Sequence, residues 1–470
     1  MKIVLKNIGI IQNSAIELNG LTVITGQNNS GKTTVGKVLY SLIDAVADLE
    51  KKSISDRYQY ALKQIERARE ELGILPCYPS YYIERKLEHV SVEVLYRFLI
   101  HGVEEEDITG ELGEYIRKLI MELEKIDMET LSDIANELVE GMYDTKEKKN
   151  MRDNKRRALS ILKLALQEIT SDTKLVKYAK QSINASLAIE FAGQIQPVAF
   201  NDLDSEILLY RNEELCYKLH IKDNQIVNSN EKVFSNAPFK QSYFIDNPFI
   251  LDDPVQVYRR RRRGWYVNDS FFDTTKIVTH DNKLKQILNA DTDKTVFEAG
   301  IIEKRYRNIK DKIDEILPGS FTVNDGERYY VNGNVKLKTV NLAAGSKMFS
   351  IIKMLLEKGE IDDSTLLILD EPECHLHPKW QNAFAEVITL LVKEVGCHIL
   401  LTTHSSNFML AIDAYMRKYD ISSLCNFYQT EHIEDGNFVA YRSVNDSMED
   451  IYRDFVTYFS DVKMLRDEYC

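Results

Sequence analysis

The octet Gly26-Gln27-Asn28-Asn29-Ser30-Gly31-Lys32-Thr33 constrains this chain more than any other stretch. It satisfies G-x-x-x-x-G-K-[ST] at every fixed position, and it has the context that pattern needs. Ahead of it, Leu21–Thr25 is a short apolar run suited to a buried strand. Behind it, Val35, Val38, Leu39, Leu42, Ile43, Val46 and Leu49 recur mostly at three- and four-residue spacing, as one face of a helix does. A strand, a Gly-rich turn and a helix in this order point backbone N–H groups at an anion. Gly26, Asn28, Asn29, Ser30, Gly31, Lys32, Thr33 and Thr34 are therefore expected to bind a nucleotide. Lys32 would reach the β- and γ-phosphates, and the Thr33 hydroxyl would ligate Mg2+.

The other parallel strands such a fold needs come late in the chain. Leu366-Leu367-Ile368-Leu369 reads as a strand, Pro378–Val395 as a helix and His398-Ile399-Leu400-Leu401 as a strand, with a helix pattern over Gly345–Lys358 before them. Ile3-Val4-Leu5 opens the chain as a strand. Ser205–Tyr210 and Leu215–Ile221 suggest a hairpin, Ser242–Ile245 a further strand, and Ser320–Val323 with Tyr329–Val331 a second hairpin. This pattern predicts an α/β protein with a mainly parallel sheet built from both ends of the chain. Between them, Tyr58–Leu72, Ser91–Ile100, Leu112–Ile126 and Arg156–Ile169 are amphipathic, which marks a helical insertion. The expected division is 1–48 and 191–415 as the two parts of one head, 49–190 as the insertion, and 416–470 as a tail of the head or a partner-binding element.

Three further segments carry chemistry. Leu366–Leu369 runs into Asp370-Glu371-Pro372. Acids at the tip of a buried strand suit Asp370 to Mg2+, directly or through water, and Glu371 to orienting or deprotonating an attacking water. His404 follows one helix and one strand later and could hydrogen-bond a γ-phosphate. Asn341-Leu342-Ala343-Ala344-Gly345-Ser346-Lys347 precedes a helix and reads either as a second anion site or as a plain cap. One chain cannot easily aim this site and the Gly-rich turn at one phosphate, whereas a dimer could.

These four motifs resemble those of an ABC-type ATPase of the branch that includes RecF, the SMC proteins and the overcoming-lysogenisation-defect (OLD) proteins. The likeness covers roughly residues 1–45 and 190–415. Glu371-Pro372-Glu373-Cys374-His375-Leu376-His377-Pro378 resembles that branch's extended Walker B and D-loop. Leu342–Lys347 resembles its signature, with Ala343 and Ala344 where Ser is common and Ser346 where Glu or Gln is. The resemblance implies an ABC-ATPase head, a P-loop NTPase with mixed sheet and helices, carrying a helical insertion. It implies ATP and Mg2+ as cofactors, Glu371 and His404 as catalytic groups, and Thr33 and Asp370 at the metal. Gln194 falls where the Q-loop residue would join them, or is an ordinary polar loop residue. Ala344, Gly345 and Ser346 would act in trans, within a homodimer that sandwiches two ATPs.

The OLD nucleases append a domain with a Glu and an Asp-x-Asp pair. No Asp-x-Asp follows His404, and the pairs Asp202/Asp204 and Asp291/Asp293 read as solvated acids, so no nuclease activity is expected. The chain then resembles stand-alone ATPase subunits of prokaryotic antiphage systems such as PARIS, Septu and the retron-associated ATPases. That likeness implies a sensor or regulator of a separately encoded effector, a toxin or nuclease. The alternative is a RecF/SMC-like DNA-binding ATPase. Arg259, Arg260, Arg261, Arg262 and Arg263, followed by Trp265 and Tyr266, could hold phosphates and stack on bases, grip an acidic partner or phage protein, or form a solvated loop. A nucleotide-gated scaffold with little hydrolysis is a third reading. With 60 Lys and Arg against 73 Asp and Glu, the net charge of −13 weighs against coating DNA over the whole surface. Six cysteines without a CxxC pair, and Cys374, His375 and His377 without a second pair, predict no zinc finger. No stretch approaches the roughly 18 apolar residues of a membrane span, so a cytoplasmic protein without membrane contact is expected.

Overall fold

Runs of residues buried on both faces decide where the sheet of this protein lies. The structure is a computed structural model that describes residues 1–72, 112–127, 131, 151–170, 175–197, 204–229, 239–253, 278–290, 295–324, 326–433, 437–448, 460 and 463–467. The helix expected over Ser91–Ile100 and the run Arg259–Arg263 lie outside them. Contacts divide the chain into two compact units. One is built from 1–48, 176–257 and 277–470, the other chiefly from 49–175.

The first unit begins with β1 (Lys2–Ile8), β2 (Ile11–Glu17) and β3 (Leu21–Thr25), followed by α1 (Lys32–Val46). The second unit contains α2 (Leu49–Glu71), α3 (Leu112–Lys125) and α4 (Met151–Thr170). Its own core joins Ala61, Ile65 and Ala68 to Ile116, Leu119 and Leu123 and to Ala158, Leu162 and Ala165, the i, i+3, i+4, i+7 faces of three helices.

The chain returns to the first unit through α5 (Leu175–Glu190) and an antiparallel meander, β4 (Ser205–Arg211), β5 (Glu214–Lys222) and β6 (Gln225–Ser229). β7 (Gln241–Ile245), α6 (His280–Asn289) and α7 (Val296–Asp314) follow. A separate small sheet holds β8 (Ser320–Asn324), β9 (Glu327–Asn332) and β10 (Val335–Lys338). Next come α8 (Ala344–Glu357), β11 (Thr365–Asp370), α9 (Pro378–Leu390), β12 (His398–Thr403), α10 (Ser406–Lys418), β13 (Cys425–Ile433) and β14 (Phe438–Ser443).

Among the described residues the large sheet runs β6-β5-β4-β1-β2-β14-β13-β3-β12-β11-β7. This is the α/β fold with the mixed sheet that the family resemblance implies; it is less parallel than the strand–helix alternation predicts, because β1, β2, β4, β5 and β6 pair antiparallel. β7, β11, β12, β3 and β13 are parallel, and three of them read as near-continuous apolar runs because helices cover both faces. The register sets Leu369 beside Ile245 and Leu401, Asp370 beside Thr402, and Thr403 beside Thr25. The carboxyl ends of these strands therefore share one edge, where ligands bind open α/β sheets. The first unit's main core, with Val23, Leu367, Leu369, Ile399, Leu401, Phe349 and Phe384, lies against the sheet. No described helix is long and apolar enough to cross a membrane.

α1 lies against β7 and β11 with Gly36 at the contact. A Cβ there would come 3.0 Å from Ile368 Cγ2 and 3.2 Å from Phe244 Cζ. Close seating of α1 also fixes where its first turn meets the strand ends. Gly36→Leu is expected to overpack this contact and cost about 1–3 kcal/mol. Urea unfolding would show a lower midpoint with an unchanged slope; a midpoint equal to wild type would mean that the helix is not seated this closely.

Candidate functional site

The Gly-rich turn after β3 depends on backbone that glycine allows. Gly31, the N-cap of α1, has φ 75°, and Asn29 has φ 57°. At Gly26 a Cβ would fall 1.7 Å from Thr430 Oγ1 on β13, so a neighbouring strand excludes any side chain. The Ser30 hydroxyl donates to the Gln27 carbonyl at 2.7 Å. Gln27, Asn28 and Asn29 are exposed, Ser30 is buried and Thr34 is half-buried. Lys32 is only 5% exposed. Its ammonium donates to the carbonyls of Gln27 at 2.8 Å and Gly26 at 3.3 Å. Burial lowers its pKa, and the carboxylates of Glu371, Asp370 and Glu373 pull it back up.

The tips of β11 and β12 supply those carboxylates and their supports. Thr33 Oγ1 donates to Asp370 Oδ2 at 2.6 Å, and the Thr402 hydroxyl donates to Asp370 Oδ1. Burial raises the Asp370 carboxyl against these two hydrogen bonds. Glu371 has φ 50°, an uncommon value for a non-glycine residue. Its N–H donates to Thr402 O and Oγ1, both at 3.1 Å. The turn aims its carboxylate at His404 Nε2, with Lys32 Nζ 3.8 Å away. His404 Nε2 also lies 3.0 Å from Lys32 Nζ. This ring nitrogen either accepts from the ammonium or donates to the carboxylate, according to its tautomer. The structure thus brings Lys32, Thr33, Asp370, Glu371 and His404 together.

Glu373, Thr402 and Thr403 were not singled out in the sequence. Glu373 is 3% exposed and accepts from Thr403 Oγ1 at 2.5 Å and from the His404 N–H at 3.2 Å, all through Oε1. Its Oε2 has no hydrogen-bond partner among the described residues. The paired threonines ahead of His404 were the available signal, since a strand tip with two hydroxyls can position neighbouring acids.

The signature-like residues have a different setting. Gly345 is buried, and a Cβ there would meet His375 O at 2.9 Å and Leu376 Cδ2 at 3.0 Å. Ser346 is 7% exposed. Lys347 pairs with Asp252 at 2.6 Å, and Phe249 lies under its ammonium. Ala344 lines a cavity of about 210 Å3 with Asp370, Glu371, Cys374 and Asp246 of the same chain. Gln194 is exposed in the turn after α5 and makes no side-chain hydrogen bond to the Gly-rich turn or to Asp370 among the described residues. Cys374 Sγ donates to Glu371 Oε2 at 3.4 Å, its thiol pushed up to about 12 chiefly by burial. His377 caps α9 by accepting from the Lys379 N–H.

A second polar group, unforeseen in the sequence, adjoins this cavity. Glu190 ends α5, Asp246 follows β7, and His280 opens α6. His280 Nδ1 lies 2.6 Å from Glu190 Oε2 and its Nε2 lies 3.2 Å from Asp246 Oδ2. Burial lowers the imidazole pKa, but these two carboxylates outweigh it and hold it at about 9. Residues so far apart in the chain carry no common spacing to reveal them.

A family model described as AAA ATPase domain matches residues 1–409. Among solved structures, the SMC head domain from Thermotoga maritima is similar, with a TM-score of 0.36 and 11% identity over 94% of this chain and 98% of that one. An Smc head domain with an extended coiled coil, bound to the C-terminal domain of ScpA and derived from Pyrococcus furiosus, gives 0.32 and 10% over 96% and 98%. No curated protein matches the sequence.

The Glu373 environment makes a pH prediction. Burial raises its carboxyl above the ordinary 4.5, so the folded chain binds this proton more tightly than the unfolded one. The neutral form is then favoured by folding, and stability falls as pH rises from the ordinary value through the raised one. Glu373→Gln keeps an acceptor for Thr403 and His404 and is expected to flatten this part of the pH profile. Glu373→Ala removes the acceptor and is expected to cost about 1–3 kcal/mol. Denaturant unfolding at a series of pH values checks both; a Gln variant with the wild-type slope would contradict the assignment.

Proposed function

The chain belongs to the AAA ATPase domain family, and from that premise we propose that it hydrolyses ATP with Mg2+ at the edge where Lys32, Thr33, Asp370, Glu371 and His404 meet. The observation that carries the reading is the contact set of Lys32 Nζ, 3.0 Å from His404 Nε2 and 3.8 Å from Glu371, beside the 2.6 Å bond from Thr33 to Asp370. A hydroxyl and a carboxylate are the hard oxygen donors that Mg2+ takes, so the residues present fit that ion. Bound there, Mg2+ would neutralise charge on the phosphate oxygens.

The remaining steps belong to the chain's own groups. The N–H groups of the Gly26–Thr33 turn bind the phosphates. Lys32 exchanges the carbonyls of Gln27 and Gly26 for phosphate oxygens, which satisfies a buried cation with anionic partners. Glu371 orients water and accepts its proton. His404 holds the Glu371 carboxylate in place or donates to a phosphate oxygen, and Glu373 fixes its backbone.

The finer part of the proposal is a homodimer around two ATPs. Ala344, Gly345 and Ser346 of each chain would face the Gly-rich turn of the other, and the ATP state would regulate a separate effector in antiphage defence. The motif resemblance supports this reading. Because Ser346 is nearly buried, the contact in trans would rest more on backbone N–H groups at the start of α8 than on that hydroxyl.

Lys32→Ala is expected to abolish ATP binding. Glu371→Gln should bind ATP, lower turnover by about 10²–10⁴-fold, and accumulate as a dimer. Phosphate release, nucleotide titration and mass photometry read these outcomes. Wild-type turnover in Glu371→Gln would sink the hydrolytic assignment. If the purified complex instead retains DNA with steep salt dependence and no effector protein, the DNA-binding alternative takes its place.

A further inference from the structure

The cluster around His280 has the parts of a metal site beside the edge that carries Asp370 and Glu371, with Asp246 facing both. Thr279 caps α6 by accepting from the Asn282 N–H, which fixes His280 and Asp281 as the first residues of the helix. One ligand atom each from Asp246, His280 and Asp281 lie within 4.8 Å of one another. Glu190 is buried and holds His280 twice, accepting from its backbone N–H at 2.8 Å through Oε1 and contacting Nδ1 at 2.6 Å through Oε2. The ring is further locked by stacking on Phe244 at 4.4 Å and by the edge of Tyr40 at 5.9 Å. With Nδ1 committed to Glu190, Nε2 is the nitrogen turned toward Asp246, and it would exchange its proton for the ion. A carboxylate behind a histidine in this way is the outer-shell device that orients metal-binding imidazoles.

Charge points the same way. Three carboxylates, Glu190, Asp246 and Asp281, surround one imidazole. The nearby lysines are engaged elsewhere, Lys283 with Asp44 and Ser242 O, and Lys285 with Asp253 at 2.6 Å. Among the described residues neither Asp246 nor Asp281 forms an ion pair with Lys or Arg.

We propose that Asp246, His280 and Asp281 form a divalent transition-metal site, with His280 Nε2 and a carboxylate oxygen from each aspartate as ligands and Glu190 as the residue that orients the ring. The mixed imidazole and carboxylate set selects ions of the Mn2+ or Zn2+ class over Mg2+, which prefers an all-oxygen shell. The ion would tie the end of β7 to the start of α6. Asp246 also lines the cavity that contains Asp370 and Glu371, so the site would fix one wall of that cavity. None of this depends on ATP hydrolysis.

The test uses Mn2+ with the full, nucleotide-free chain, followed by electron paramagnetic resonance. The expected result is bound Mn2+ with hyperfine coupling to a histidine nitrogen. Asp281→Asn and Glu190→Gln should each weaken binding about 10–100-fold. Asp370→Asn, which alters the phosphate-binding edge, should leave that signal in place. Absence of nitrogen coupling in the wild type overturns the proposal, whether or not any variant folds. So does binding that Asp370→Asn removes and Asp281→Asn does not.

Discussion

A lysine ammonium withdrawn from water needs partners on every side, and the site is arranged around that need at Lys32. The loop before it supplies two carbonyls, the first residue after β12 supplies the His404 nitrogen, and the turn after β11 supplies Glu371. The Gly-rich turn lies more than three hundred residues before the other two groups, and the parallel register brings it to them. If β11 slipped by one residue against β12, Asp370 would leave Thr402 and its side chain would change faces. Strand interiors that are apolar on both faces do not by themselves forbid that slip; the hydrogen bonds of Asp370 with Thr402 and Thr33 at the strand tip favour the observed register.

That dependence explains where strain is tolerated. Glu371 adopts a left-handed backbone immediately after β11 ends at the half-buried Asp370, and two hydrogen bonds from its N–H to Thr402 hold it there. A more relaxed turn would carry the carboxylate away from Lys32. Gly26 shows the complementary constraint, because β13 comes so close that even a methyl group would collide with Thr430. The Gly-rich turn is therefore shaped by a strand near the far end of the chain as well as by its own sequence.

The sequence was legible where one local pattern met one physical demand. The apolar run, the Gly-rich turn and the helix at 21–49 could be read directly, as could the acids after Leu369, because each is contiguous. β2 was missed because its buried residues Ile11, Ser14 and Ile16 include a serine and are interrupted by polar residues. β13 was missed because Gln429, Thr430, Glu431 and His432 break the apolar signal, although β13 lies directly beside β3. The Glu190–His280–Asp246 group was illegible for a stronger reason. Its members lie on three different elements, and nothing short of the folded sheet places them together. The Cys374, His375 and His377 cluster illustrates the converse, since adjacent residues in sequence face separate partners in the fold.

The start of α8 shows how one residue can serve packing and function together. A glycine in the first turn of a helix is easily read as a phosphate-binding feature, yet Gly345 has a sufficient reason to be glycine within its own chain. His375 O and Leu376 leave no space for a side chain. Lys347 is likewise tied to Asp252, and Phe249 joins it to His375 through ring contacts. The signature-like segment is thereby fastened to the segment that follows Glu371. The start of α8 thus rests directly on His375 and Leu376, in the same segment that carries Glu371. The departures at Ala343, Ala344 and Ser346 remove side-chain hydroxyls and acids from the segment but leave this packing, which rests on Gly345 and Lys347, in place.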